Sequence, residues 1–208
     1  MRVKWINDLK NPAGRYLPHL LPVDPTLHWA NPPGGAAGRA TGGAPQYVRS
    51  LETYRVPPVV LVDQEGEQVA LDAVLDGDKA VLMHFLFTSC TTTCPVVTAT
   101  VASMRQVLGP EGQDLRILSI SIDPTHDTPG ALQAYARQHG IGPGWQLLTG
   151  DIGQVRTVLK AFGGLTGSKT THAPLTFLRT PSSRHWVRLS GFPSPVELAN
   201  EYRQLHGN

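Results

Sequence analysis

An α/β fold, a central mixed sheet flanked by helices, is predicted by three features of this chain. Apolar runs of strand length alternate with amphipathic segments, Gly and Pro punctuate them, and the only two cysteines stand where a strand hands over to a helix. With 208 residues, 40% of them hydrophobic, the chain can bury the core of one ordinary domain and still carry an appendage.

The appendage comes first. Residues 1–50 contain Asn31-Pro32-Pro33-Gly34-Gly35, then Gly38, Gly42, Gly43 and Pro45, with no periodic apolar face. This composition predicts an irregular arm and a Gly/Pro-rich linker without a core of its own. The domain proper is assigned to residues 51–208. It opens with an N-terminal β-hairpin: Val59-Val60-Leu61-Val62 is rich in β-branched residues, Gly66 supplies a turn, and residues 69–75 read as the returning strand.

Strand and helix then alternate. Residues 80–87, Ala-Val-Leu-Met-His-Phe-Leu-Phe, read as a buried strand, and Pro95 suits the first position of the helix after it, where its missing N–H would be unpaired anyway. Val97, Val101, Met104 and Leu108 share one face of that helix, which Gly109-Pro110 ends. Residues 115–122 form the next strand. Thr128-Pro129 starts a helix running to about His139, residues 145–148 are a short strand, and Asp151 caps a helix that buries Ile152, Val155, Leu159 and Phe162. Residues 175–178 and 186–189 are strands around the Pro181-Ser182-Ser183 turn. Ser194-Pro195-Val196-Glu197 is a capping box opening a final helix that buries Leu198, Tyr202 and Leu205. The order βαβαβαββα, with cysteines between a strand and its following helix, is a thioredoxin-like arrangement.

Cys90 and Cys94 lie in Phe87-Thr88-Ser89-Cys90-Thr91-Thr92-Thr93-Cys94-Pro95. A structural disulfide stabilises mainly by closing a long loop of the unfolded chain, and a bridge across three residues closes almost none. The pair is therefore read as a site rather than a staple or two small apolar residues brought together by chance. Such thiols bind a metal, cycle between dithiol and disulfide, or both, and a helix N-terminus favours the thiolate.

These residues carry a resemblance. The segments Phe85-Leu86-Phe87-Thr88-Ser89-Cys90-Thr91-Thr92-Thr93-Cys94-Pro95, Ser119-Ile120-Ser121-Ile122-Asp123-Pro124 with Asp127-Thr128-Pro129, and Trp145 with Leu148-Thr149-Gly150-Asp151 are similar to those of the Sco/SenC family of copper-binding thioredoxin-fold proteins. The likeness runs over about residues 54–202, and three residues between the cysteines set it apart from thioredoxins, which have two. It implies a copper chaperone that holds the metal through Cys90, Cys94 and a distant histidine, here His172 in Thr170-Thr171-His172-Ala173-Pro174. It also implies a partner, the copper-bearing subunit of cytochrome c oxidase or another copper protein, whose dinuclear copper centre the chaperone fills or matures. Asp123, at the end of a strand on the side of the site, is a candidate to steady a metal ligand from behind or to contact the partner; as a turn former before Pro124 it needs no such role.

The donor chemistry agrees. Two sulfurs and an imidazole suit soft Cu(I), and copper in either the Cu(I) or Cu(II) state, better than Mg or Ca. Structural zinc would want a fourth protein ligand, and three-coordination eases hand-over to an incoming thiolate. On this reading the chain is not an enzyme in the turnover sense. The alternative is a thiol–disulfide reductase acting through Cys90 and Cys94 on copper-ligand cysteines of a partner; His172 argues for metal, since disulfide exchange does not need it. A third class, a non-catalytic binding module, rests on residues 20–32, which bear a short likeness to segments of multicopper oxidases but hold no His-x-His pair from which a site could be carried over.

Other histidines compete with His172. His84 alternates with Met83 and Phe85 along a strand and is expected to be a packed, hydrogen-bonded imidazole, while His126 stands where family members commonly carry arginine. A formal charge of +2 with no basic stripe argues against nucleic acid, and no run approaches the ~20 apolar residues of a membrane span. The resemblance implies a periplasmic or otherwise extracytoplasmic protein, membrane-anchored in a full-length form, although no signal or anchor is visible in these residues.

Overall fold

The structure is a computed structural model that describes residues 46–165, 174–181 and 183–206. Every described residue belongs to the unit Gly42–Asn208. Its strands, β1 Tyr47–Glu52, β2 Val60–Asp63, β3 Gln68–Ala70, β4 Ala80–Leu86, β5 Leu115–Ser121, β6 Trp145–Thr149, β7 Leu175–Arg179 and β8 Trp186–Gly191, make one sheet in the order β1-β8-β7-β4-β5-β6-β2-β3. The helices are α1 Leu71–Leu75, α2 Thr93–Leu108, α3 Pro129–Gln138, α4 Ile152–Ala161 and α5 Pro195–His206. β4, β5 and β6 run parallel and the remaining pairs are antiparallel, so the sheet is mixed, as expected of a thioredoxin-like fold.

Period-two alternation sorts the central strands onto two cores. Ala80, Leu82 and Leu86 of β4 meet Val97, Val101 and Met104 of α2, together with α3 and α5. Val81 and Met83 face the other way, onto Leu71 and Leu75 of α1, Val158 and Leu159 of α4, and a ring cluster of Phe162, Phe177 and Trp186. Burial on both faces is why β4 reads as an uninterrupted apolar run rather than an alternating one. It also makes β4 a rigid base for the cysteine turn at its C-terminal end.

Local signals behave as their chemistry requires. The Thr128 hydroxyl accepts from Ala131 N–H at 3.2 Å, and Asp151 accepts from Gly153 and Gln154 N–H at 2.8 and 3.2 Å. The capping box closes both ways: Ser194 N–H donates to Glu197 Oε2 at 2.7 Å, and Glu197 N–H donates to Ser194 Oγ at 3.3 Å.

Four local expectations change, the first being Ile152, which stands exposed in the first turn of α4 rather than buried. The returning arm of the hairpin stops at Ala70, and Leu71–Leu75 is helical, because Leu71 and Leu75 at i and i+4 both bury against the sheet. Pro95 is the third residue of α2 rather than the first, still inside the turn whose N–H groups lack intrahelical partners. β1 crosses the expected 50/51 boundary, its alternation masked because Val48 and Leu51 are exposed on an edge strand. Gly191, at φ +123°, is what lets β1 approach β8: a Cβ there would collide with the Gln46 carbonyl. Among the described residues, no helix is long and apolar enough to cross a membrane.

Candidate metal and redox site

The site lies at the C-terminal edge of the parallel strands, where open α/β sheets place their ligands. After Leu86 the chain turns tightly, with Cys90 N–H donating to the Phe87 carbonyl at 3.1 Å, and α2 then begins at Thr93. Thr92 precedes the helix but makes no side-chain cap. The Cys90 sulfur takes that place: Cys94 N–H donates to Cys90 Sγ at 3.2 Å. One orphan donor of the helix start is thus satisfied by a thiol that can carry negative charge.

The two sulfurs differ. Cys90 is half-buried and Cys94 is buried, and both are free thiols. Burial pushes the Cys90 thiol up, but hydrogen bonding from Cys94 and the backbone N–H groups of Cys94, Thr92 and Thr93 outweighs it, leaving Cys90 below the usual thiol range. Cys94 is pushed up to about 12, chiefly by burial, then by its hydrogen bond to Cys90, with negative charge on Cys90 and Asp127 adding to it. Cys90 is therefore the readier nucleophile of the two, while burial disfavours the Cys94 thiolate. Phe87, Thr92, Val97, Ile122 and Pro174 join the cysteines around a pocket of ≈ 70 Å³.

His172 lies outside the described residues. Among the described residues, no group of three or more His, Cys, Asp or Glu side chains stands close enough to hold a metal ion. His84 is the packed imidazole expected from its strand. It is 1% exposed, its Nε2 lies 2.8 Å from Ser119 Oγ, and Trp145 Nε1–H donates to the same oxygen at 2.7 Å. Burial holds its pKa down at about 4, which keeps it neutral, and its ring packs edge-on to Trp145. His126 is exposed and contacts Asp123, Nδ1 to Oδ1, at 3.1 Å.

Asp123 is buried and borders a groove with Ile122, which also lines the cysteine pocket. The acidic side chain tied directly to the cysteine turn is a different one, Asp127, to which the sequence pattern assigns no role. Asp127 is 1% exposed and accepts from Thr88 N–H at 3.2 Å, from the Thr88 hydroxyl at 2.5 Å and from the Ser121 hydroxyl at 2.6 Å. The available signal was the pairing of Thr88, two residues before Cys90, with an aspartate after the neighbouring strand; pattern alone does not say which aspartate turns inward.

The SCO1/SenC family model matches residues 50–204. A SCO1 protein homolog of Bacillus subtilis is 36% identical over 112 residues, which are 53% of this chain and 56% of that protein. The chain thus spans about half the length of the curated relatives it matches. BsSco, described as a member of the Sco family of cytochrome c oxidase assembly proteins with a disulfide switch, superposes with TM-score 0.64 at 25% identity, covering 77% of this chain and 98% of its own. Bradyrhizobium japonicum ScoI, solved with copper bound, superposes with TM-score 0.59 at 24% identity, covering 72% of this chain and 98% of its own. A family model that matches residues 50–204, cysteine turn included, places the chain in the SCO1/SenC family.

Proposed function

We propose that this protein binds one copper ion through Cys90, Cys94 and His172 and delivers it to, or matures, the dinuclear copper centre of cytochrome c oxidase. The observation that carries the reading is the paired thiols at the start of α2, one half-exposed with a lowered pKa and one buried. Copper offsets the cost of a buried Cys94 thiolate: the thiol releases its proton to solvent and the cation neutralises the sulfur that ligates it. Support for the third ligand comes from chain length. Pro174 lines the cysteine pocket, and the two residues back to His172 can span no more than about 7 Å. Copper-bound structures exist for ScoI of Bradyrhizobium japonicum and for yeast Sco1. A related Bacillus anthracis protein is described as a lipoprotein, which fits a membrane-anchored, extracytoplasmic setting for this chain.

Metal analysis of the reduced protein tests the assignment. One copper per chain is expected, with Cys90→Ser, Cys94→Ser and His172→Ala each losing most of it; unchanged retention in His172→Ala would remove that ligand. Tetrahedral zinc at full occupancy after exposure to copper would remove the metal.

The asymmetry of the two thiols also favours a second reading, thiol–disulfide exchange on copper-ligand cysteines of a partner, in which Cys90 attacks and Cys94 resolves. His172→Ala separates the two: a carrier loses copper delivery to an apo oxidase subunit while keeping exchange with a small disulfide. Full rescue of oxidase assembly by His172→Ala would promote the reductase.

A further inference from the structure

Asp127 makes contacts that the copper reading does not use. Its carboxylate is 1% exposed and forms no ion pair with a described Lys, Arg or His; among the described residues it is held by the neutral donors of Thr88 and Ser121. A buried carboxylate offset only by neutral donors is costly to keep. Its donors come from two places. Thr88 supplies both its N–H and its hydroxyl from the turn that ends in Cys90, and Ser121 supplies its hydroxyl from the last residue of β5. Ser121 Oγ in turn accepts from Asp123 N–H at 3.0 Å, and Asp127 N–H donates to the Asp123 carbonyl at 2.9 Å, so the carboxylate is itself fixed by the loop it belongs to. The backbone joins the two connections at their bases, where Ile122 N–H donates to the Leu86 carbonyl at 2.9 Å, but that bond lies before the turn and leaves Thr88 to Asp127.

We propose that Asp127 is the positioning residue of the cysteine turn: by clamping Thr88 to the end of β5 it sets where Cys90 Sγ stands relative to Cys94. Cys94 is buried on α2 in the core, and beyond the Cys94 N–H bond to Cys90 Sγ the distance between the sulfurs is set from the Thr88 side of the turn. Without the clamp the segment from Thr88 to Cys90 samples more conformations, and the probability of finding the two sulfurs within bonding reach falls. The proposal rests on the two cysteines acting together, which both functional readings require, and not on copper.

The test is the effective concentration of one thiol toward the other, measured on the metal-free full chain in buffers of reduced and oxidised dithiothreitol. The protein dithiol gives two electrons and two protons to the cyclic disulfide, forming the Cys90–Cys94 bond and the reduced reagent. Asp127→Ala is expected to lower the effective concentration at least tenfold. Asp127→Asn should stay within threefold of wild type, because its amide oxygen still accepts both Thr88 donors while its NH₂ turns to Ser121 Oγ. A residue needed only for stability would lower the unfolding midpoint in Asp127→Ala and leave the effective concentration where it was; that result would overturn the proposal. So would an Asp127→Asn protein as impaired as Asp127→Ala, which would assign the effect to charge. Should Asp127→Ala fail to fold, Thr88→Val decides: loss of one donor should cost at least threefold, Thr88→Ser should cost nothing, and a wild-type value for Thr88→Val would sink the clamp. Because no step involves copper, failure here is distinguishable from failure of the copper assignment.

Discussion

Residues 87–92 leave β4 and residues 122–128 leave β5, two parallel neighbours whose connections emerge at the same edge of the sheet and each lead into a helix. The second connection satisfies itself. Thr128 caps α3, His126 and Asp127 N–H both donate to the Asp123 carbonyl, and Ser121 and Asp127 bond each other. The first leaves its helix uncapped by Thr92, offers the Cys90 sulfur to Cys94 N–H instead, and draws its anchoring from Asp127 across the gap. The contrast shows a division of labour: one connection gives up local satisfaction so that a sulfur can sit at a helix start, and its neighbour supplies the rigidity that it lacks.

The sharpest way to break that contrast is to remove the shared carboxylate. Asp127→Ala leaves the Thr88 and Ser121 donors without their acceptor, and at roughly 1–3 kcal/mol for a stranded buried group the protein should lose about 3 kcal/mol in urea unfolding. A loss under about 1 kcal/mol would mean that water replaces the carboxylate and the two connections are not mechanically joined.

A comparable effect tests the strands beneath the connections, which His84 and Ser119 link in the core. Burial lowers the folded-state pKa of His84 to about 4 from 6.5, so the unfolded chain binds more protons between those values and stability falls as pH drops through that window. The expected contribution is about 3 kcal/mol between pH 6.5 and pH 4, and it should vanish in His84→Gln; an unchanged acid profile in that variant would refute the assignment.

Within the first connection, the two thiols should react unequally. At about pH 8, with the thiolate fraction favouring Cys90 and burial shielding Cys94, alkylation of the reduced protein should reach Cys90 about 100-fold faster, read by peptide mass spectrometry over time. Equal rates would show that the turn opens before it reacts. The smallest effect compares the two helix starts directly. Thr128→Ala should cost about 1 kcal/mol, while Thr92→Ala, which loses no cap, should cost no more than about 0.3 kcal/mol.

Much of this molecule was legible in its residues. Short-range signals survive folding because their partners are close in sequence: the Asp151 cap, the Ser194–Glu197 box, the apolar stripe of α2 and the hairpin around Gly66 all appear where their chemistry places them. Signals failed where a neighbour distant in sequence decides the outcome. Leu71–Leu75 reads as strand until the sheet offers a face that takes Leu71 and Leu75 one helical turn apart. β1 carries no inward stripe of its own and exists because β8 supplies its hydrogen bonds.

The candidate site divides along the same line. The residues alone marked Cys90 and Cys94 as the candidate pair, since a bridge across three intervening residues closes too short a loop to act as a staple, and with the family likeness they made copper the expected cargo. Which thiol is exposed, which is held protonated, and which aspartate grips the turn were decided only by the tertiary structure. Burial and hydrogen bonding depend on what packs above each group, and Thr88 and Asp127, 39 residues apart, meet only once β4 and β5 lie side by side.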